Sequence, residues 1–166
     1  MTTDRKAERQ TVLLLDDDQN LRNNIRHIGR RNNIAVYSAM TYTQARRMLV
    51  MRENIVVALV GIYADRYEET VEALARIEEE RPDLCVIALA DVKDTKVAMK
   101  LMQEERIFRY LQKPIKEADL IRGVRAALKH SEMLKRVEHL NEENKAKKAE
   151  AKSGIFNIRS FIRQSA

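Results

Sequence analysis

Three consecutive aspartates, Asp16, Asp17 and Asp18, follow directly after the apolar residues 12–15. A short apolar run between polar segments is typical of a strand that is buried on both faces. The aspartates then lie at the carboxyl end of that strand, where open parallel α/β sheets bind their ligands. Adjacent carboxylates repel one another unless a cation, a lysine or water compensates their charge. The stretch therefore predicts an acidic pocket that needs a positive partner from elsewhere in the chain.

The composition predicts one globular domain with an extension. The chain has 166 residues, 45% of them hydrophobic, and a net charge of +6. The charges are interspersed, which favours solvated helix faces over a dedicated nucleic-acid surface. The single cysteine, Cys85, excludes an internal disulfide and lies in an apolar run as a small buried side chain. No signal peptide or membrane span is visible, so we expect a cytoplasmic protein.

Five apolar runs alternate with five segments of helical periodicity. Asp18 is expected to cap the first helix, either Thr41 or Thr43 the second, and Asp94 the fourth. Alternation at this spacing predicts an α/β fold with a doubly wound parallel sheet and helices on both faces. The predicted strands are 11–16, 34–39, 55–60, 84–89 and 107–112.

Two motifs carry a resemblance to a known family. LLLDDDQNLR surrounds Asp16, and YLQKPIKEADL surrounds Lys113, about a hundred residues later in the predicted βα frame. Over residues 11–130 the chain resembles the receiver domain of bacterial two-component response regulators. The resemblance implies a five-stranded sheet of order 2-1-3-4-5.

The resemblance also implies roles for individual residues. Asp16 and Asp17 match the acid pair that binds Mg²⁺ in the family. Lys113 matches the lysine that contacts the phosphoryl group, and its bond to Pro114 would be cis. Tyr110 matches the aromatic switch position.

The chain departs from the family where phosphate would be received. The acceptor aspartate at the end of the third strand is replaced by one of four residues without a nucleophile, which are Leu59, Val60, Gly61 and Ile62. The nearest acid, Asp65, lies far enough along the chain to displace its carboxylate by on the order of 10 Å. The serine or threonine that reports phosphorylation is replaced by Ala90.

These departures predict a pseudo-receiver, which is a receiver fold that acts by protein–protein contact and is not an enzyme. We expect Lys113 to pair with Asp16 or Asp17 in place of Mg²⁺, so that no cofactor is needed and any Mg²⁺ binding is weak. One alternative is a working receiver that is phosphorylated on Asp65. Another is a basic protein that binds nucleic acid through residues 145–152, although we expect no nucleic-acid partner.

The carboxy-terminal extension carries a possible dimer interface over residues 131–152. Four residues follow one another at alternating four- and three-residue steps, as in a two-stranded coiled coil: Met133, Val137, Leu140 and Asn144. This spacing predicts a homodimer, with a single charged helix as the alternative. Ser153-Gly154 is expected to end the helix and to leave a separate amphipathic tail, 153–166. Residues 1–10 are expected to be disordered.

Overall fold

The computed structural model describes residues 9–165, and of Phe156 only the backbone. Residues 1–8 of the segment that was expected to be disordered lie outside the described residues, whereas Gln10 already belongs to the first strand. The elements alternate in chain order as β1 (Gln10–Leu15), α1 (Gln19–Arg31), β2 (Ile34–Ala39), α2 (Tyr42–Met51), β3 (Val57–Ile62), α3 (Tyr67–Glu80), β4 (Cys85–Ala90), α4 (Thr95–Gln103), β5 (Arg109–Gln112) and α5 (Glu117–Gln164).

The five strands form one parallel sheet in the order β2-β1-β3-β4-β5. This confirms the predicted fold class and strand order. Each face of the sheet has its own apolar core, because the strands are buried on both sides. Helices α2, α3 and α4 cover one face, and α1 and α5 cover the other. Cys85 lies in the second core, and burial raises the pKa of its thiol to about 12.

The boundaries of the third strand differ from the prediction of 55–60. Ile55 is fully buried but lies in the loop that precedes β3. Its carbonyl accepts a hydrogen bond of 2.7 Å from the guanidinium of Arg81, and its amide donates to Arg52. A buried loop residue therefore extends the apolar run in the same way as a strand residue, and the sequence does not distinguish the two. Because β3 begins and ends two residues later than predicted, Gly61 lies inside the strand as its penultimate residue.

Two of the predicted helix caps are present. The carboxylate of Asp18 accepts hydrogen bonds from the amides of Asn20 and Leu21, and the Thr41 hydroxyl accepts one from Gln44. Asp94 precedes α4 as predicted, but its side chain does not cap that helix. It accepts a hydrogen bond from the amide of Ala64 instead, because a 3-10 turn, Val92–Asp94, directs it toward the loop after β3.

The predicted end of the helix at Ser153-Gly154 is wrong, since α5 continues to Gln164. A glycine inside a helix costs only about 1 kcal/mol relative to alanine, and residues 145–152 before it are lysine, alanine and glutamate, which are strong helix formers. The chain divides into two compact units, Met1–Ser131 and Glu132–Ala166. Among the described residues, no helix is both long and apolar enough to cross a membrane.

Candidate functional site

Asp16 is the centre of a buried polar cluster at the carboxyl edge of the sheet. It follows β1 directly, and its side chain is fully buried. Its Oδ1 accepts hydrogen bonds of 2.8 Å from the Tyr63 hydroxyl and from the amide of Asp18. Its Oδ2 lies 3.3 Å from Nζ of Lys113. Both carboxylate oxygens therefore already have donors from the chain itself.

Lys113 supplies the positive charge of this cluster. It follows β5 and precedes the cis peptide bond to Pro114, as the resemblance implied. Its side chain is only 10% exposed. Nζ donates a hydrogen bond of 3.1 Å to the Tyr63 hydroxyl and lies 4.6 Å from the centre of the Tyr63 ring. A buried ion pair is tolerated when further hydrogen bonds satisfy both partners, which is the arrangement here.

Tyr63 joins the two charged side chains. Burial and the hydrogen bond to Asp16 raise the pKa of its hydroxyl. The neutral phenol is therefore the stable form, so that it can donate to Asp16 and accept from Lys113 at the same time. Neither the carboxylate nor the ammonium is left without a partner.

Asp17 has a cation of its own. Nη1 of Arg66 lies 3.0 Å from Asp17 Oδ2, and both side chains are partly exposed. The hydrogen bond from Arg66 lowers the pKa of the Asp17 carboxyl. The guanidinium of Arg66 also lies 4.2 Å from the centre of the Tyr63 ring. Asp16 and Asp17 thus each pair with a separate basic side chain.

Gly61 is the residue of β3 that faces Asp16. A β-carbon at this position would lie 2.0 Å from Oδ2 of Asp16, 2.7 Å from its Cγ and 3.1 Å from Cε2 of Tyr63. No side chain fits there unless Asp16 moves. The other three candidates for the acceptor position, Leu59, Val60 and Ile62, belong to the apolar cores on the two faces of the sheet.

The loop that carries Tyr63 is attached to the loop before α4. The amide of Ala64 donates a hydrogen bond of 3.0 Å to Oδ1 of Asp94. Asp94 is only 3% exposed. Oδ2 of Asp94 has no hydrogen-bond partner among the described residues. Asp94 therefore fixes the backbone next to Tyr63.

The remaining predicted residues lie around this cluster or apart from it. Ala90 is fully buried, and its carbonyl accepts a hydrogen bond of 2.8 Å from the amide of Lys113. Tyr110 is half-buried and packs against the core formed with α2, α3 and α4. Asp65 is exposed in the 3-10 turn Ala64–Arg66. Met133, Val137, Leu140 and Asn144 are exposed on α5.

Tyr63 and Arg66 were not predicted as residues of the site, and Asp94 was predicted only as a helix cap. The first two follow β3 by one and four residues, in the segment GIYADR. Because the carboxyl ends of parallel strands meet at one edge, polar residues just after β3 belong near those after β1. The sequence signal for Tyr63 and Arg66 is therefore their position directly after the third strand.

The donor set does not fit a Mg²⁺ ion. Mg²⁺ requires near-ideal octahedral coordination by oxygen atoms and retains several waters. Here both oxygens of Asp16 accept hydrogen bonds, Asp17 is paired with Arg66, and Gly61 contributes no side chain. Within residues 9–165, no group of three or more histidine, cysteine, aspartate or glutamate side chains could hold a metal.

A doubly wound parallel sheet, with an acid pair after β1 and Lys-Pro after β5, defines a receiver-type α/β protein. The family model for the response regulator receiver domain matches residues 12–125. The chain belongs to this family, and membership implies a role in two-component signal transduction. No curated protein matched the sequence.

Solved receiver structures share the fold at low sequence identity. A response regulator receiver domain protein from Clostridium thermocellum is 23% identical, with a TM-score of 0.64 over 75% of this chain and 98% of that one. The signal receiver domain of an HD domain-containing protein from Pseudomonas fluorescens Pf-5 is 25% identical, with a TM-score of 0.66 over 77% of this chain and 93% of that one. An adenylate cyclase from Rhodopirellula baltica is 22% identical, with a TM-score of 0.70 over 80% of this chain and 97% of that one.

Proposed function

We propose that this protein is a pseudo-receiver, a receiver-fold signalling module that is not phosphorylated at the usual position and acts by protein–protein contact. The strongest support for this proposal is the position of Asp16 beside Gly61. The space that an acceptor side chain at Gly61 would need is filled by the carboxylate of Asp16, only 2.0 Å from the site of a β-carbon.

The charges of the cluster support the same function. Phosphoryl transfer to a carboxylate needs positive charge that is free to stabilise the transferred group. Lys113 is already bonded to Asp16 and Tyr63, and Arg66 is bonded to Asp17. The proposed resting state is therefore a neutral cluster that needs neither a phosphoryl group nor Mg²⁺.

The switch residues support an absence of phosphorylation control. Ala90 has no hydroxyl that could follow a phosphoryl group, and Tyr110 already packs against the core. In this proposal the activity of the protein is set by a partner, another ligand or the amount of protein. The exposed apolar side chains beside α4 offer a contact surface for a signalling partner: Val92, Met99 and Met102.

The proposed homodimer uses the first part of the helical extension. Met133, Val137 and Leu140 are each 55% exposed, and Asn144 follows at the next step of the repeat. Exposed apolar residues at this spacing gain by pairing with the same residues of a second copy. A buried asparagine at such a position specifies two strands in a fixed register.

Phosphorylation is tested by incubating the full chain with Mg²⁺ and acetyl phosphate and then measuring its intact mass, with an active receiver as the positive control. We expect no added phosphoryl group while the control is labelled. A single addition would contradict the proposal. The exposed carboxylate of Asp65 is the best acceptor in that event, and the variant Asp65→Asn would identify it by losing the label.

A further inference from the structure

The last turns of α5 carry an apolar arc that the proposed function does not use. Four side chains are 53% to 72% exposed: Ile155, Ile158, Phe161 and Ile162. At about 100° per residue they fall within an arc of roughly 120° on the continuous helix. Because α5 continues through Gly154 without a break, residues 155–162 keep a fixed angular position around the helix relative to the residues before Gly154.

A basic stripe runs along one edge of this arc. At about 100° per residue, its five members span an arc of roughly 60° on the helix. All of them are exposed: Lys145, Lys148, Lys152, Arg159 and Arg163. None of their side chains makes a hydrogen bond or ion pair within the described part of the chain. Glu150 is the only acid between residues 145 and 165, and it lies at the other edge of the arc.

We propose that residues 145–163 bind the surface of an anionic lipid bilayer. Amphipathic helices of this type lie in the plane of the membrane, with isoleucine and phenylalanine at the boundary between headgroups and acyl chains. Basic side chains at the edge of the apolar arc reach the anionic headgroups, while their aliphatic stems stay on the apolar side. In this proposal the segment lies on the membrane surface and does not cross it.

A second copy of the chain is a poorer occupant of this arc. The repeat that begins at Met133 loses its large apolar side chains at the next three positions, which are Lys147, Ala151 and Gly154. Ile155 and Ile162 then fall outside that repeat, although they are 53% and 62% exposed. Pairing along the repeat would therefore leave half of the arc uncovered.

A nucleic acid fits less well than a membrane for a different reason. Basic side chains account for phosphate contacts along a nucleic-acid backbone. Three exposed isoleucines beside them would stay in water, because aliphatic side chains neither stack on bases nor contact phosphates. A lipid surface binds the stripe and the arc together.

The test is flotation of the full chain with two kinds of vesicle, one of phosphatidylcholine alone and one of an equal mixture with phosphatidylglycerol. We expect binding to the mixed vesicles and little to the neutral ones. The double variant Ile158→Gln/Phe161→Gln should bind at least about tenfold more weakly. Lys152→Gln/Arg159→Gln should bind more weakly by on the order of fivefold per charge and respond less to salt. The matched control is Val50→Gln, which removes a side chain that is 68% exposed on α2.

Four outcomes would overturn this proposal. They are an absence of binding to mixed vesicles, equal binding to neutral vesicles, undiminished binding by the apolar variant, and an equal loss in the Val50→Gln control. Sedimentation and gel retardation of the same variants would then assign the arc to a second copy or the stripe to a nucleic acid. None of these results depends on whether the chain is phosphorylated.

Discussion

Replacing Gly61 by alanine tests whether Asp16 fills the acceptor position. The new β-carbon would lie 2.0 Å from Oδ2 and 2.7 Å from Cγ of Asp16, far inside van der Waals contact. Asp16 has a short side chain, so its carboxylate must rotate away as a unit. That rotation breaks the 2.8 Å hydrogen bonds from the Tyr63 hydroxyl and from the amide of Asp18.

These contacts determine how much Gly61→Ala should lower the free energy of unfolding. Hydrogen bonds to a charged group contribute about 1.5–3 kcal/mol each, and overpacking of a core costs about 1–3 kcal/mol. Gly61 does not have a positive φ, so alanine is otherwise compatible with the backbone and restricts the unfolded chain by about 0.4–1 kcal/mol. Because part of the broken contacts can re-form after the shift, we expect a net loss of about 2–4 kcal/mol in the free energy of unfolding.

Urea denaturation followed by circular dichroism measures this loss. The control is Gly123→Ala, where the new β-carbon comes no closer than 3.6 Å to another atom. That change should stabilise the helix by about 0.5–1 kcal/mol. A Gly61→Ala protein as stable as the wild type would show that Asp16 does not fill the acceptor position.

A double-mutant comparison separates the clash from any general effect on β3. The background Asp16→Ala/Lys113→Met removes the obstructing carboxylate together with its cation, so that no buried charge is left unpaired. In that background we expect Gly61→Ala to cost less than about 1 kcal/mol. An equal loss in both backgrounds would show that Asp16 does not cause it.

Three further results follow from the same contacts. Burial and the hydrogen bond to Asp16 raise the pKa of Tyr63, so this phenol should ionise last in an ultraviolet titration. The stability that follows from this shift should be complete below the ordinary pKa of tyrosine and should be lost as the pH rises from there through the raised folded-state pKa. Removal by Tyr63→Phe of an ionisation at an ordinary tyrosine pH would contradict this. Arg66 lowers the pKa of Asp17, so Arg66→Gln should lower stability by less than about 1 kcal/mol near neutral pH. The loss should be smaller in strong acid, where Asp17 is protonated and only the contact between Arg66 and the Tyr63 ring is removed. An equal loss at both pH values would be inconsistent with the Asp17 pair. Val137→Glu should convert a dimer to a monomer in light scattering, and a wild-type monomer at high micromolar concentration would argue against the dimer.

Much of the fold follows from the periodicity of the apolar residues. Five short apolar runs and five helical patterns leave few arrangements other than a doubly wound parallel sheet. The strand order was implied by the resemblance that the motifs around Asp16 and Lys113 carry, and the structure confirms it. Local boundaries were less predictable, because burial does not distinguish a strand from a buried loop. Ile55 is buried in a loop, where Arg81 binds its carbonyl. Gly154 stays helical after residues 145–152, which are all lysine, alanine or glutamate and favour helix.

The site was only partly predictable for a related reason. The three adjacent aspartates indicated that a cation is needed, and the resemblance pointed to Lys113. In the structure Lys113 pairs with Asp16. Tyr63 and Arg66 come from a loop whose path depends on the hydrogen bond between Ala64 and Asp94. Such a long-range contact has no periodic signal. The space beside Gly61 likewise depends on the rotamer of Asp16, which only the assembled site determines.

In the proposed pseudo-receiver, the acids after β1 are compensated by the chain's own cations, Lys113 and Arg66, and not by a metal ion. Titration calorimetry of the full chain with MgCl₂, beside an active receiver, distinguishes these two cases. We expect no saturable heat at concentrations that saturate the active receiver. Saturable Mg²⁺ binding that the Asp17→Asn variant abolishes would contradict the proposal.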